Sequence, residues 1–488
     1  MKPRRTSVLP HAVRTAAFAA LAPVLLAACM VGPDFTRPTA PASTHYDAQA
    51  EHDLAGGAGA QGKPQLDVNR VIHGDWWSVF GSKTLDAVMQ RAIAGNLDLD
   101  AADASIAQAD EATIAAGGAL KPQVDFGAQA GRQRGGSLGA HTGNVYSVGP
   151  RVSFDFDLSG GTKRQVEERE ALATLQRHRY DAAWLTVTGD VSTQAILLAS
   201  ARAQIDAVQA LIASDRRNLE LVRAAHRYGG ATQVDIALAT NQLAQDETLL
   251  PPLAQQRDTA RHALSILAGK GPADWLPPDF TLADFTLPAN LPVSLPSELA
   301  RTRPDILAAE ARLHAASAAI GVATADLYPH LQLSAALTRT GPGPASLWGI
   351  ASAITAPIFH GGELKANRRA AVDGYNAVFA DYKATVIASL GQVADVLQAI
   401  NHDGDEYAAQ TRALDAADAG VRLSRAGYGA GETSVLQVLD AERAYQRALI
   451  GQIRARTAQY LDTTQLAVAL GGNASGAFER RVAKVDAP

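Results

Sequence analysis

The sequence predicts a mainly helical protein, built from two copies of one unit, that also carries two β-hairpins. Three observations support this prediction. Two proline-free stretches, Gly160 to Tyr228 and Gly361 to Tyr428, are rich in helix-favouring residues. Each stretch could form a helix of about 100 Å. Segments with alternating apolar and polar residues, typical of β-hairpins, precede both stretches, and the whole pattern recurs after about 200 residues.

The amino terminus has the features of a targeting signal. A basic segment and a short apolar segment end in Leu26-Ala27-Ala28-Cys29, which resembles the bacterial lipobox. Cys29 is the only cysteine in the sequence, so it has no disulfide partner within the chain. We expect residues 1–28 to be a lipoprotein signal peptide and Cys29 to carry diacylglycerol and palmitate. By resemblance to sorting rules, Met30 at the next position favours the outer membrane.

Residues 29–65 are predicted to be a lipidated strap and a flexible linker, because the segment is rich in proline, alanine and glycine. The folded body begins at Asp75-Trp76-Trp77. Paired tryptophans could form a platform for a ligand, but a buried packing anchor is the more common arrangement. We therefore expect Trp76 and Trp77 to be buried.

Two hairpins are predicted from residue alternation. The first has strands beginning at Val124 and near Tyr146, and the second begins at Leu331, with a less regular strand from Trp348 to Ile358. One face is apolar and the other polar, which fits a membrane β-barrel or a soluble sheet with one wet face. The predicted lipid-facing residues are Val124, Phe126, Val152, Phe154, Phe156, Leu331, Leu333 and Leu337.

The long helices contain features that predict local structure. Lys163 with Glu167 and Arg164 with Glu168 have the i,i+4 spacing of weak ion pairs, which predicts a solvated helix face. After a reversal at Tyr228-Gly229, a second helix is predicted from Thr232 to Leu267. Pro251-Pro252 should kink or break that helix.

The repeat sets the domain organisation. The segments before the hairpins match at an offset of 207, and the long helices at 201 at their start and 200 at their end. Each unit consists of a short helix, a hairpin, a long helix and a short helix. The predicted segments are residues 66–273 for the first unit, 274–298 for a proline-rich connector, 299–472 for the second unit and 473–488 for a tail.

The number of strands constrains assembly. Closed membrane barrels begin at eight strands, and open sheet edges are not tolerated in lipid. Four strands from one chain would therefore require oligomerisation: two copies give eight strands, and three give twelve with a possible pore.

Several motifs, in order along the chain, resemble those of the TolC-like outer-membrane factor family, in particular its lipoprotein branch. They are Val31-Gly32-Pro33-Asp34-Phe35, the Trp76-Trp77 block, Leu295 to Ile306, Pro357 to Gly362 and Tyr428 to Glu442. The resemblance implies a homotrimer with a twelve-stranded β-barrel in the outer membrane. It also implies an α-barrel of long, antiparallel coiled-coil helices that extends into the periplasm.

The resemblance also implies a periplasmic aperture at the helix ends. Tyr428 matches a gate tyrosine and Asp440 a member of an acidic ring, while Gln437 and Thr433 depart from the Asp and Arg found there in some members. Asp235 is the first-unit equivalent of Gln437. The turn glycines that match adaptor-docking positions are Gly229, Gly230, Gly429 and Gly431.

Three copies of Asp440 around an axis would concentrate negative potential and favour cations. The alternative is that Asp440 forms an ordinary i,i+3 ion pair with Arg443. Likewise, Tyr428 could be a gate or a simple packing residue of the turn.

The sequence contains no recognisable catalytic, nucleotide-binding or metal-binding motif, so we expect no enzymatic activity and no cofactor apart from the lipid. There is also no basic excess to bind nucleic acid. The resemblance implies a passive exit duct of a tripartite efflux system. Its partners would be a periplasmic membrane-fusion adaptor and an inner-membrane pump, expected to be of the resistance-nodulation-division class. The alternatives are a type I protein-secretion duct and a periplasmic coiled-coil adaptor or spacer lipoprotein.

Overall fold

A computed structural model describes most of the chain. It covers residues 30–49, 51, 64–68, 75–134, 142–341, 345–472, 474 and 476–479. The predicted signal peptide and Cys29 lie outside the described residues, as do parts of the predicted linker and most of the predicted tail.

The described chain is mainly helical. Its helices are α1 (Lys83–Gly95), α2 (Leu97–Gly118), α3 (Gly161–Arg227), α4 (Gln233–Glu247), α5 (Leu250–Leu267), α6 (Pro296–Thr302), α7 (Pro304–Ala325), α8 (Glu363–Gly429) and α9 (Val435–Ala469). Its strands are β1 (Gln65–Val68), β2 (Gln123–Arg134), β3 (Thr142–Phe156), β4 (Asn290–Val293), β5 (His330–Gly341) and β6 (Ala345–Thr355). Short 3-10 helices lie at Trp76–Phe80 and Leu282–Asp284.

The two longest helices, α3 and α8, have 67 residues each, which confirms the two predicted long helices. The helix expected from Thr232 to Leu267 is divided into α4 and α5. Pro251 and Pro252 lie in the first turn of α5, where a missing amide hydrogen breaks no helical hydrogen bond. The predicted break is therefore confirmed.

The helices of the two units correspond at two sequence offsets. α2 begins at Leu97 and α7 at Pro304, which is the predicted shift of 207 residues. The long helices α3 and α8 begin at Gly161 and Glu363, a shift of 202, and end with the same shift. The offsets of 201 and 200 predicted for these helices were wrong. They came from matching the identical Gly-Gly pairs before the helices and the identical Tyr-Gly pairs after them. Helix boundaries depend instead on backbone conformation and capping.

One compact unit comprises the described residues up to Pro38, Ser105–Gln176 and Ala308–Lys383. It contains an antiparallel sheet in the order β2-β3-β5-β6, so both predicted hairpins are confirmed and they pair through β3 and β5. The last strand was predicted at Trp348 to Ile358, but β6 starts and ends three residues earlier. It ends before Pro357, which cannot donate a ladder hydrogen bond.

The second compact unit comprises the described residues of Thr39–Ala104, Arg177–Leu307 and the chain from Ala384 onward. Trp76 and Trp77 are each 1% exposed, and the Trp76 indole donates a hydrogen bond to the Thr188 hydroxyl at 3.2 Å. The Trp77 indole donates to Asp86 at 3.1 Å. The expectation that both residues are buried packing anchors is confirmed.

The second unit also contains a small parallel sheet that the sequence did not predict. Strand β1 begins at the last residue of the segment expected to be a linker, and β4 lies within the segment expected to be a connector. Leu291 and Val293 of β4 are buried in a core with Leu466 and Leu470 of α9 and its end. A four-residue strand that contains a proline has no detectable period, and its partner is more than 200 residues away, so local sequence could not reveal it.

Candidate functional site

One face of the four-stranded sheet carries the eight residues predicted to face lipid. Directly opposite residues in a β-ladder lie on the same face. The register pairs Val124 with Val152, Phe154 with Leu333 and Phe156 with Leu331, and Phe126 and Leu337 follow at even spacing on the same strands. The structure therefore brings all eight residues together on one face.

This face is apolar and largely uncovered in a single chain. Val124 is 70% exposed and Phe126 is 74% exposed. On the opposite face, Asp125 lies across from Arg151, and Asp155 lies across from Gln332. The sheet thus has one exposed apolar face and one polar face, and its outer strands β2 and β6 have open edges.

A second exposed apolar region follows β6. Ile358 is 97% exposed and Phe359 is 87% exposed. Together with Tyr328 and Arg368 they border a cavity of about 710 Å³. Exposed apolar side chains of this size indicate a surface that is covered in an assembly.

The described chain starts beside the end of β3. The Val31 amide donates a hydrogen bond to the Ser159 carbonyl at 3.0 Å. Met30 approaches Gly160 so closely that a β-carbon on Gly160 would lie 2.8 Å from the Met30 Cα atom. Gly160 also has a φ of 75°, which favours glycine. Met30, the residue that follows Cys29, therefore packs against Gly160, which lies four residues after the end of β3.

Arg164 fixes this strap. Its side chain is only 2% exposed and forms ion pairs with Asp34 at 2.6 Å and Glu167 at 2.7 Å. Its Nε atom donates to the Val31 carbonyl at 3.2 Å. The prediction of a solvated face at Arg164 was wrong, because the spacing of charges along a helix does not show that a distant segment packs over it. Gly321 leaves the space for the Arg164 stem, since a β-carbon there would lie 2.7 Å from Cγ.

The turns after the two long helices have the same backbone geometry. Gly229 and Gly431 follow the helices with φ angles of 76° and 77°. The next amides, Gly230 N and Glu432 N, donate to carbonyls five residues earlier at 2.9 and 2.8 Å, which is the Schellman pattern. Gly229 is therefore the structural equivalent of Gly431, and Gly429 is still part of α8.

This correspondence separates the two tyrosines. Tyr228 lies beyond the end of α3 and is 90% exposed, whereas Tyr428 lies in the last turn of α8 and is 53% exposed. They are not structural equivalents, contrary to the alignment of the two Tyr-Gly pairs. Only Tyr428 lies within a regular helix.

Asp235 and Gln437 occupy the same position in two capping boxes. Each is the third residue of its helix, and its side chain accepts a hydrogen bond from the N-cap amide, that of Thr232 at 2.7 Å and that of Ser434 at 3.0 Å. The hydrogen bonds from the Thr232 backbone and hydroxyl lower the pKa of Asp235. Their equivalence was predicted, and the structure gives both side chains the role of fixing a helix start.

The other predicted aperture residues lie near these turns. The Thr433 hydroxyl donates to the Ser424 carbonyl at 3.0 Å and so closes the α8–α9 turn. The Asp440 side chain is 63% exposed, and its carboxylate accepts from Arg443 at 3.4 Å. The i,i+3 pair with Arg443 that we considered is thus present, but it is long for a charge-assisted hydrogen bond.

Arg443 is the centre of a charge cluster that the sequence did not predict. Its guanidinium is 15% exposed and lies 2.7 Å from Asp215 of α3 and 4.0 Å from Asp246 of α4. Burial, and then the hydrogen bond with Asp246, raise the pKa of Asp215, while Arg443 lowers it. The partners are up to 228 residues apart, so no local spacing could have indicated the cluster.

A second cluster lies next to the first. Glu442 accepts hydrogen bonds from the Ser214 hydroxyl at 2.6 Å and from Arg425 at 2.8 Å. Burial raises the pKa of Glu442, but these bonds and the charge of Arg425 outweigh it, and the net pKa is lowered. Glu442 therefore links α3, α8 and α9 as a carboxylate.

Within the described residues, no group of three or more His, Cys, Asp or Glu side chains is arranged to hold a metal ion. Two helices of the described chain, α3 and α7, are long and apolar enough to cross a membrane by length and composition. Most of the 18-residue apolar segment of α3 that meets this criterion is buried inside the protein, as expected for a core helix.

Comparisons with known proteins agree with this geometry. The family model for outer membrane efflux proteins matches residues 88–270 and 295–472. The pyoverdine export outer membrane protein OpmQ of Pseudomonas aeruginosa is 30% identical over 414 residues, which cover 81% of this chain and 87% of that protein. Nodulation protein T of Rhizobium leguminosarum bv. viciae is 27% identical, over 95% of this chain and 94% of its own.

The solved structure of the outer-membrane channel OprN superimposes with a TM-score of 0.80 at 25% identity, covering 91% of this chain and 99% of that chain. It confirms the fold class of long helices combined with strands of a barrel. The family match also confirms the predicted role in efflux and the predicted location in the outer membrane. The chain belongs to the outer membrane efflux protein family.

Proposed function

We propose that three copies of this chain form the passive outer-membrane exit duct of a tripartite efflux system. The observation that carries the proposal is the open four-stranded sheet with one exposed apolar face. Four strands cannot close a barrel, and an open edge is not tolerated in lipid. Three copies would pair β6 of each chain with β2 of the next and give twelve strands.

The strands have the length that this role requires. A tilted transmembrane strand needs about 9 to 11 residues. β2, β3, β5 and β6 have 12, 15, 12 and 11 residues. A coiled-coil adaptor or spacer lipoprotein would have no use for such a sheet.

We propose that Cys29 carries the lipid and that the strap sets its height. Val31 is bonded to Ser159, just after β3 leaves the sheet. A lipid on Cys29 would therefore enter the inner leaflet of the outer membrane beside the base of the barrel. Arg164 holds the strap at this level.

Asp440 is proposed to form the acidic ring of the aperture. Arg443 is closer to Asp215 than to Asp440, at 2.7 against 3.4 Å. Its guanidinium therefore interacts mainly with Asp215 and neutralises Asp440 only in part. The exposed carboxylate of Asp440 thus still contributes negative electrostatic potential to its surroundings. Three such carboxylates around a narrow axis favour the passage of cations.

A groove beside the turns is the proposed docking site for the periplasmic adaptor. It has a volume of about 490 Å³ and is lined by residues of α3, α4, α9 and the α3–α4 turn, including Val222, Gly230, Leu238 and Leu436. Gly229, Gly429 and Gly431 carry no side chain that would block an approaching helical hairpin. An inner-membrane pump, for which we propose the resistance-nodulation-division class, would supply the energy.

The cargo is proposed to consist of small molecules. OpmQ is named for the export of pyoverdine, and other relatives are named for the efflux of toluene and solvents. A type I protein-secretion duct remains the alternative, and transport assays with a secreted protein would distinguish the two.

Barrel closure can be tested by disulfide trapping in the Cys29-lipidated protein. Ala351→Cys on β6 is combined in turn with Asp125→Cys, Gly127→Cys and Gln129→Cys on β2, so that all reporters lie on the polar face. At least one pair should give covalent trimers on non-reducing gels. The matched control replaces Ala351→Cys by Ser334→Cys on the inner strand β5 and should give none. Monomers from all three β2–β6 pairs would contradict the trimeric barrel.

A further inference from the structure

A cavity in the first compact unit lies where the chain passes from β6 into α8. Its volume is about 710 Å³. One wall is formed by the end of α7 and the turn that follows it. The other wall is formed by the segment that joins β6 to α8 and by the first two turns of α8. The lining residues that determine its chemistry are Leu327, Tyr328, Ile358, Phe359, Lys365 and Arg368.

The apolar part of the cavity continues the face of the sheet that we assign to lipid. On β6, Ile354 lies directly opposite Leu331 of that face, and it is 68% exposed. Ile358 follows at even spacing just after the strand ends and is also exposed. Phe359 and Tyr328 are exposed aromatic residues at the same end of the sheet. Membrane barrels carry aromatic girdles at this level, where the strands leave the lipid.

The other part of the cavity is basic. Lys365 and Arg368 are three residues apart on α8, so their side chains leave the same side of the helix. The Arg368 Nε atom donates a hydrogen bond to the Thr324 hydroxyl at 3.2 Å, which holds the guanidinium at the cavity wall. His360 also lines the cavity and carries a positive charge when it is protonated. None of the described residues that line the cavity has a carboxylate to balance these cations.

The matching turn of the first unit is covered by the chain itself. The Arg164 amide donates a hydrogen bond to the Gly160 carbonyl at 2.9 Å. The Ala366 amide donates in the same way to the Gly362 carbonyl at 3.0 Å, so the two glycines are equivalent. Met30 of the strap packs against Gly160, whereas a β-carbon on Gly362 would meet no atom of the described chain within 4 Å. The strap thus covers the first turn, and the second turn stays open in a single chain.

We propose that this cavity binds one anionic phospholipid from the inner leaflet of the outer membrane. The phosphate would accept hydrogen bonds from Lys365 and Arg368, because charged donors bind phosphate oxygens strongly. The acyl chains would cover Ile354 and Ile358 on the lipid-facing side of the sheet. This site depends on the proposed duct, because the closed barrel places the end of β6 in the membrane.

The charges around the cavity favour an anionic lipid over other occupants. A zwitterionic lipid would bring an ammonium group next to two cations, with no carboxylate of the lining to receive it. In the proposed barrel, the start of β2 from the next chain would lie beside the end of β6. Lys121, two residues before β2, would then add a positive charge. Asp125 of that strand already faces Arg151 on the polar side of the sheet.

The test is native mass spectrometry of the full-length purified protein, freed of non-covalent lipid and then titrated with dioleoylphosphatidylglycerol. We expect saturable binding of one lipid per chain. Dioleoylphosphatidylcholine should bind at least about tenfold more weakly, because its headgroup has no net negative charge. Dioleoylglycerol, which lacks a phosphate as does the lipid expected on Cys29, should show no saturable binding. The same spectra report the mass of the oligomer.

Two exposed cations can be removed without disturbing the core. Lys365→Gln and Arg368→Gln should each weaken the binding of phosphatidylglycerol about fivefold, and the double variant about thirtyfold. Lys163→Gln is the matched control and should bind the lipid as the natural protein does. Lys163 is the third residue of α3, as Lys365 is of α8, and it is exposed but does not line the cavity.

Three results would overturn the lipid site. They are the absence of saturable binding of phosphatidylglycerol, equal affinity of the double variant and the natural protein, and equal affinity for phosphatidylglycerol and phosphatidylcholine. If the next chain fills the cavity instead, the trimer will give the first of these results. A trimer without saturable binding would overturn the lipid site and leave the duct intact, whereas a monomer would contradict the duct itself.

Discussion

At the scale of single residues, Arg164 shows how a buried cation can be stabilised by several acceptors around its guanidinium group. Two carboxylates and two backbone carbonyls accept hydrogen bonds from it, and the strap that follows Cys29 is fixed in consequence. Its partner Glu167 also contacts His314 at 2.9 Å, and His314 stacks on Phe35 of the strap at 4.5 Å. The strap is therefore held by connected contacts rather than by one ion pair.

Arg164→Met should destabilise the attachment of the strap by about 2 to 3 kcal/mol, because hydrogen bonds to charged groups are lost. Limited proteolysis should then cut the strap faster, and the melting temperature should fall. Lys163→Met is the matched control on an exposed neighbouring position and should change neither. Equal proteolysis of the two variants would show that Arg164 does not hold the strap.

The turn glycines allow stability and docking to be separated. Gly431→Ala should lower stability by about 1 kcal/mol, because its φ of 77° disfavours side chains. Gly429→Ala should be neutral or slightly stabilising, since Gly429 is helical and nothing lies near its added β-carbon. Melting curves of both variants check this order. A loss of efflux in Gly429→Ala without a loss of stability would support adaptor docking at this turn, and unimpaired efflux would argue against it.

Asp462 should make stability depend on pH. Its pKa is about 8 in the folded chain against an ordinary value of 3.8, so the folded state binds more protons between these values. The free energy of unfolding should therefore fall as the pH rises from about 4 to about 8. Melting temperatures of Asp462→Asn should lack this part of the pH dependence. A parallel dependence in the variant and the natural protein would contradict the raised pKa.

Single-residue roles were only partly predictable. The sequence showed that Asp235 and Gln437 are equivalent, because the second unit repeats the first. It did not show the burial of Arg164 or the cluster around Arg443, because both depend on segments that meet only in the folded chain. The aperture roles of Tyr428, Thr433 and Asp440 stay predictions.

At the scale of elements, the hairpins and long helices follow from patterns that the sequence carries locally. Alternation with period two fixes which side chains share a face, and the register confirms this for all eight apolar residues. Helix ends were less predictable, because left-handed glycines and capping boxes set them. The parallel pair β1–β4 has no local signature and could not be predicted.

The apolar face of the sheet should be essential for membrane assembly. Phe154→Asp combined with Phe156→Asp places two charges on this face, where lipid would have to solvate them. Heat-resistant trimers should disappear from the outer-membrane fraction. Ser153→Asp, on the polar face of the same strand, is the control and should assemble normally. Normal trimers from the double variant would sink the assignment of this face to lipid.

At the scale of the whole molecule, each chain supplies one third of the proposed passive duct. The fold and the role in efflux are established by the family match, and the internal duplication supplies four strands and two long helices per chain. Three chains would then provide a complete barrel and a tunnel whose entrance carries Asp440. The sequence could not supply the cargo, because a water-filled tunnel makes few specific contacts.

The proposed duct is tested most directly by the single-channel conductance of the purified protein in a planar bilayer, after its trimer mass has been checked. We predict a cation-selective pore from a trimer, with most of the selectivity lost in Asp440→Asn. Asp415→Asn removes an exposed carboxylate elsewhere and should keep the selectivity. A conducting trimer whose selectivity is unchanged by Asp440→Asn would contradict the acidic ring, and a protein that is monomeric and does not conduct would contradict the duct.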